Sequence, residues 1–401
     1  MANSDMIQNR DIVIVGQQPW DVEIGSNCKN IAAEFSRHNR VLYVNSPLDR
    51  ITRYRRKHEP AVQKRITIVK GKQAGLEQIA NNLWTYYPGE MIESINWIKS
   101  AALFNILNKR NNKIFARDIQ IAMQQLEFKN IILFNDDDIF RCFYLKELLK
   151  PAVSIYYSRD YLLTVDYWKL HGTTLEPLLI AKSDLCVANS TYLADYCRQY
   201  NPRSYYVGQG CDLEIFSKES YAVPADTATI SKPIIGYVGA LQSLRLDLEL
   251  LQNIATAKPG WQIVLVGPED DIFKASSLHT LPNIHFLGGK PPDTLPAYIN
   301  AFDVCLNPQV INEVTRGNYP RKIDEYLAMG KPVIATETAF MKTVFKDHTY
   351  LCNTAAEYVA AIEKALMENS PALQQKRKDF AASHSWENNV KEIYKAVNGL
   401  E

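Results

Sequence analysis

The sequence predicts an α/β protein of two doubly wound domains, each a parallel sheet covered by helices. Three observations carry this. The chain has 401 residues, too many for one ordinary domain. Its short apolar runs are β-branched and apolar throughout, the pattern of strands buried on both faces. The rhythm of runs and helix-length spacers stops at a polar, Pro-containing stretch, 217–232, and then starts again.

In the first half, strands are expected at 12–15, 41–44, 66–69, 83–87, 131–134, 153–157, 185–188 and 205–207. In the second they are expected at 234–238, 263–266, 284–287, 304–306 and 333–335, with helical patterns at 247–257 and 295–301. The expected parts are a Rossmann-like domain at 1–216, a second at 217–384 and a terminal helix at 385–401. In that helix Val390, Ile393, Tyr394 and Val397 recur at helical spacing behind a Ser385 cap and Glu387. Two such domains in tandem set the carboxyl ends of their strands, where ligands bind, opposite each other across a cleft.

Composition excludes several classes. The chain is 46% hydrophobic and 22% charged, as in soluble globular proteins, and its net charge of +1 supplies no global field for nucleic acid. No apolar run is long enough to span a bilayer, and the polar start carries no signal-peptide core, so a cytoplasmic protein is expected. Seven scattered cysteines without a C-x-x-C pair fit buried thiols in a reducing compartment, not a zinc site.

The chemistry concentrates between Arg316 and Thr336. Pro320 suits a first helical turn, Gly330 a helix end, and Pro332 blocks continuation, so a short helix is expected at 320–329. Arg321 and Lys322 fall in its first turn, where cations oppose the helix dipole unless an anion binds there. Glu325 lies one turn after Lys322, where a carboxylate can accept both hydrogen bonds of a vicinal diol such as a ribose. Phosphate and ribose partners one turn apart describe a nucleotide. The alternative is a solvated helix with a Lys322–Glu325 surface pair.

Other pieces aim at the same end of the second domain. Gly239, Gly267, Gly288 and Asn307 each follow a strand, and Arg245 lies six residues beyond Gly239, within reach of a diphosphate. In the first domain Gly16 ends the opening strand, and Gly25 and Ser26 precede a helical pattern without forming G-x-G-x-x-G. Asp136, Asp137 and Asp138 follow a strand; adjacent carboxylates can hold a metal, but a capped turn is the favoured reading. Asp160, also at a strand end, is the better partner for an acceptor hydroxyl. Arg50, Arg53, Arg55, Arg56 and Lys57 put five cations in eight residues around Ile51 and Tyr54, either a solvated loop or a surface for anionic lipid.

The segment Pro320-x-Lys322-x-x-Glu325-Tyr326-Leu327-Ala328-x-Gly330-Lys331-Pro332 resembles the donor-binding signature of GT-B glycosyltransferases of the family 4 type. Leu281–Gly288, Ala301–Val304, Ser183–Ser190 and Gly210–Phe216 are similar to that family too, so the resemblance runs from about residue 11 to 390. It implies a GT-B fold and a cytoplasmic transferase, retaining and metal-independent, with a nucleoside-diphosphate sugar as donor and no other cofactor. It implies a glycan or lipid-linked glycan acceptor, and the looser pattern resembles bacterial cell-wall transferases of the teichuronic-acid type. Lys322 and Arg245 would contact the diphosphate and Glu325 the ribose; with Asp160 as the third, these cations are the catalytic candidates. One departure stands out: Gly317 occupies the position of the first Glu in the E-x7-E pair of many relatives, and Glu313 is off register. A nucleotide-binding pseudoenzyme is therefore the alternative function. A UDP-sugar epimerase is disfavoured because the seven histidines form no cluster in sequence.

Overall fold

The computed structural model describes residues 6–22, 26–218, 220–312, 315 and 319–400. They form two compact units, Met1–Gly208 with Trp386–Glu401, and Gln209–Ser385. The boundary expected at 216/217 thus falls inside the second unit.

The first unit is built on eight strands: β1 (Asp11–Val15), β2 (Arg40–Val44), β3 (Leu76–Ala80), β4 (Leu83–Tyr86), β5 (Ile132–Asp136), β6 (Val153–Ser158), β7 (Leu185–Ala188) and β8 (Ser204–Tyr206). Their order is β3-β4-β2-β1-β5-β6-β7-β8, all parallel except β3 against β4. Alternate residues feed opposite cores: Ile12, Ile14, Val41 and Tyr43 pack on one face, Val13, Val15, Leu42 and Val44 on the other. That two-sided burial is why the runs are apolar without alternation.

The second unit holds β9 (Ile234–Val238), β10 (Gln262–Val266), β11 (Ile284–Gly288), β12 (Val304–Asn307), β13 (Val333–Thr336) and β14 (Tyr350–Cys352). They form one parallel sheet in the order β11-β10-β9-β12-β13-β14. Ile235, Tyr237, Ile263, Leu265, Val304 and Leu306 line its main core. No regular strand or helix interrupts 217–232 among the described residues.

Three expectations differ from the structure. The run 66–69 is the end of the helix Pro60–Val69, whose Val62, Arg65 and Ile68 turn inward at helical spacing. The missed strands are β3, an edge strand with mostly exposed residues that leaves no apolar run to read, and β14, an edge strand of only three residues. The basic stretch is not a loop: it begins with the helix Arg50–Arg55, capped by Asp49.

The terminal helix Trp386–Asn398 belongs to the first unit. Val390, Ile393, Tyr394 and Val397 join the core of that unit, Tyr394 stacks on Phe35 at 5.5 Å, and its hydroxyl accepts from Asn39 Nδ2 at 2.9 Å. Each such buried apolar side chain contributes roughly 1.5–3 kcal/mol. All seven cysteines are buried free thiols. Among the described residues no helix is long and apolar enough to cross a membrane.

Candidate functional site

In the second unit the strand ends gather the expected residues. β9 is followed by Gly239, whose φ of 141° is in the region that favours glycine. Gly267, after β10, has a φ of 157°, and a Cβ there would lie 1.9 Å from the Gly239 carbonyl oxygen. The two backbones therefore touch only because Gly267 lacks a side chain. A Cβ on Gly239 would sit 3.1 Å from Lys322 Cε and 3.2 Å from its Nζ, so Lys322 lies across this glycine corner. Gly288 opens onto free space at the end of β11.

The helix that carries Lys322 runs Lys322–Ala328, shorter than expected at both ends. Its place is fixed by Tyr326, fully buried, whose hydroxyl oxygen accepts the Val238 N–H at 2.8 Å. Below it Asp324 is fully buried and accepts from Tyr319 Oη at 2.7 Å and His384 Nδ1 at 2.6 Å. Burial pushes the Asp324 carboxyl up, against the pull of His384 and Tyr319. Gly330, with a φ of 71°, ends the segment as its sequence requires.

Lys322 and Glu325 form no ion pair. The Lys322 ammonium lies 4.7 Å from the centre of the Tyr237 ring. Glu325, half-buried, has no hydrogen-bond partner among the described residues, and burial raises its carboxyl above the usual range against Arg321 and Lys322. Arg321 Nε and Asn307 Nδ2 are buried and find no acceptor among the described residues. Arg245 is exposed and makes no ion pair there. Pro320 is buried just before the helix. Arg316, Gly317 and Glu313 lie outside the described residues. The site thus holds the cations Lys322 and Arg321, the carboxylate of Glu325 and two buried donors with unmet hydrogen-bonding capacity, Arg321 Nε and Asn307 Nδ2, a set suited to an anion with hydroxyl groups.

In the first unit, Gly16 lets Tyr43 approach: a Cβ there would lie 2.0 Å from the Tyr43 hydroxyl. Ser26 caps the helix Asn27–Ser36 by accepting the Lys29 N–H, and Gly25 lies outside the described residues. The acidic run is a buried turn. Asn135 Oδ1 accepts the Asp138 N–H at 2.9 Å, and Asp138 takes the Arg141 N–H at 2.9 Å and its Nε at 2.5 Å. Asp136 pairs with Arg159 Nε at 2.8 Å, and Arg159 Nη1 reaches Asp160 at 2.8 Å. Asp160 remains half exposed at the end of this chain of charges. The described residues contain no group of His, Cys, Asp and Glu arranged to hold a metal.

Sequence reading missed the partner of Asp137. Tyr156 Oη lies 2.7 Å from Asp137 Oδ1 and 2.8 Å from Glu176 Oε1, all three buried. One hydroxyl hydrogen cannot serve both oxygens, so one of the carboxyls carries a proton. Burial raises Glu176 from 4.5 to about 7. The folded state keeps this proton to higher pH than the unfolded chain, so stability from this group is highest below 4.5 and falls as pH rises through about 7. Glu176→Gln removes that loss: its melting temperature should gain on the wild type between pH 4.5 and 8. An identical pH trend in both proteins would contradict the shared proton.

Residues 232–368 match the family model described as Glycosyl transferases group 1. TuaH of Bacillus subtilis (strain 168), described as a teichuronic acid biosynthesis glycosyltransferase, is 26% identical over 196 residues, 47% of this chain and 49% of that protein. The chain thus matches about half the length of this curated relative. Sucrose-phosphate synthase of Thermosynechococcus elongatus is similar with a TM-score of 0.65 at 14% identity, over 98% of this chain and 99% of that one. Anabaena Alr3699/HepE in complex with UDP and glucose is similar with a TM-score of 0.65 at 13% identity, over 98% of this chain and 100% of that one. A glycosyltransferase of Rickettsia africae ESF-5 reaches 0.67 at 12% identity, over 98% of this chain and 99% of that one. At such identities the structural likeness establishes the fold, and the family match lies in the unit that holds Lys322 and Glu325. The second unit therefore carries a match to the Glycosyl transferases group 1 model over residues 232–368, and the chain as a whole has the GT-B fold.

Proposed function

We propose that the protein transfers a sugar from a nucleoside-diphosphate sugar to a hydroxyl of a glycan or lipid-linked glycan, in bacterial surface or cell-wall glycan synthesis. The observation that carries this reading is Lys322, held across the Gly239 corner without an ion-pair partner among the described residues and one turn before the unpartnered Glu325. The Anabaena structure with UDP and glucose and the teichuronic acid description of the Bacillus relative support the donor and the pathway class. Lys322 and Arg245 neutralise the leaving diphosphate, Glu325 accepts the ribose diol, and Gly239, Gly267 and Gly288 let backbone approach the nucleotide. Arg321, Pro320 and Asn307 complete the donor side. Asp160, held by Arg159, orients the acceptor hydroxyl, with Gly16 and Ser26 on the acceptor side. The reaction retains anomeric configuration and uses no metal, because cationic side chains already meet the charge that develops on the leaving group.

The test is a panel of nucleotide sugars, with product and anomer read by NMR, in the presence and absence of EDTA. We expect slow hydrolysis or transfer with one donor, unaffected by the chelator. Loss of turnover in EDTA with rescue by manganese or magnesium would move the charge-neutralising role to a metal. Tight nucleotide binding with no turnover on any donor or acceptor would favour the pseudoenzyme reading that Gly317 raises.

The protein works in the cytoplasm at the inner face of the membrane, through the helix Arg50–Arg55 and the residues after it. Tyr54 is 82% exposed, Arg55 and Lys57 form no ion pair among the described residues, and Arg56 pairs there with the half-exposed Glu59. Each cation near an anionic surface contributes about 1 kcal/mol. Vesicles of phosphatidylglycerol should therefore co-sediment the protein at low salt and release it at high salt. The combined change of Arg53, Arg55, Arg56 and Lys57 to Ser should abolish binding; equal binding to neutral vesicles would return this segment to an ordinary surface.

A further inference from the structure

The first unit holds a cavity of about 520 Å³, within the roughly 300–1,000 Å³ range of small-molecule sites. It lies where the segments after β2, β4 and β5 meet the helices Ala101–Gln125 and Asp166–Lys182. None of the residues discussed above for the donor lines it.

Its walls are aromatic. Trp168 stacks on Phe140 at 5.1 Å on the inside, while Trp97 and Tyr167, 69% and 58% exposed, stand at the rim. Large flat rings left in water at a cavity mouth offer a surface for the C–H face of a ligand ring while a polar edge stays wet.

Its polar groups have unmet hydrogen-bonding capacity. Asn108 is 2% exposed, and its Oδ1 accepts from Asn112 Nδ2 at 3.2 Å. Asn112 cannot be turned the other way, because its own Oδ1 accepts the Tyr144 N–H at 2.9 Å and its Nδ2 donates to the Phe140 carbonyl at 2.9 Å. Asn108 lines the cavity, and its Nδ2 is buried with no acceptor among the described residues. The Arg141 Nε is taken by Asp138, but its terminal amino groups find no acceptor there either.

Charge decides the class of occupant. Asp49, Glu93, Asp138 and Asp166 line the same cavity; Arg141 pairs with Asp138 and Arg50 with Glu93, so Asp49 and Asp166 remain as the excess of negative charge. Hydrogen bonds from Ser94 and Thr52 outweigh the effect of burial and hold the Asp49 carboxyl below its usual range, so it stays ionised. A phosphate or carboxylate would meet this excess of negative charge. A neutral polyhydroxyl ring meets hydrogen-bond acceptors for its hydroxyls, donors from Asn108 and Arg141, and aromatic faces for its carbons.

From this we infer that the cavity is a binding pocket for a neutral sugar ring. Calling that ring part of the acceptor rests on the transferase reading; the sugar binding itself does not.

The experiment titrates the full chain with methyl α- and β-pyranosides of glucose, galactose and N-acetylglucosamine, and with glucuronate and glucose 1-phosphate as charged controls. Binding is followed by tryptophan fluorescence and saturation-transfer NMR. At least one neutral glycoside should bind, more tightly than either charged control. Trp97→Ala and Asn108→Ser should each weaken it by about tenfold, the loss of one good contact. Trp97 is a surface residue, so its variant keeps the test open if Asn108→Ser destabilises the fold. No binding of any neutral glycoside at millimolar concentration, tighter binding of the charged controls, or unchanged affinity in both variants would overturn the assignment. Titration with UDP, GDP and ADP in parallel separates the two readings: glycoside binding without nucleotide binding rejects the donor site alone, and the reverse rejects this pocket alone.

Discussion

Lys322→Ala should lower nucleoside-diphosphate affinity and turnover together by about ten- to a hundredfold, the worth of one charge-assisted hydrogen bond. The expectation rests on where the side chain lies. Its ammonium is 4.7 Å from the centre of the Tyr237 ring and its end is packed across Gly239, so it is held at the strand ends without a carboxylate to neutralise it. Removing it costs the fold little, because the anchors of its helix are Tyr326 and Asp324. Turnover should fall with affinity because a leaving diphosphate gains charge in the transition state. Glu325→Gln should mainly weaken nucleotide binding. It should also flatten the loss of affinity on acidification, since the wild-type carboxyl, raised by burial, protonates above the usual range and then accepts fewer hydrogen bonds. Calorimetry with UDP, GDP and ADP across pH checks both; unchanged affinity in both variants would remove these residues from the donor site.

Asp324→Ala should be the most destabilising single change in the second unit that we propose. It leaves the Tyr319 hydroxyl and the His384 Nδ1 without the acceptor they share. Losing a fully buried partner of this kind costs about 3–5 kcal/mol. For a unit of this size that is roughly 6–20 °C in melting temperature. Asp324→Asn keeps the shape and one acceptor, so its loss should be clearly smaller. Differential scanning calorimetry decides it: a shift of the unit's transition by less than about 2 °C in the alanine variant would show that the buried triad contributes little.

Parts of this protein were legible because local chemistry and tertiary role coincide. Val13 to Val15 and Ile263 to Val266 read as doubly buried strands because both sheet faces are covered, and they are. Gly330 and Pro332 closed the helix of Lys322 in the sequence as they do in the structure. The edge strand β3 was not legible, since its exposed residues carry no hydrophobic pattern, and neither was the helical state of 66–69, whose four apolar residues fit either period.

What the sequence determined by itself is the architecture and the residue types of the donor site: two parallel-sheet units, and Lys322 and Glu325 one turn apart. What only the tertiary structure decided is who meets whom. Asp324 and His384, Asp137 and Glu176 through Tyr156, and the cavity that joins Trp97 to Asn108 and Arg141 bring together residues from separate elements. Periodicity records which face of its own element a residue occupies. It carries no record of the partner that packing places opposite, and burial of a polar group is tolerable only when that partner, or a ligand, is there.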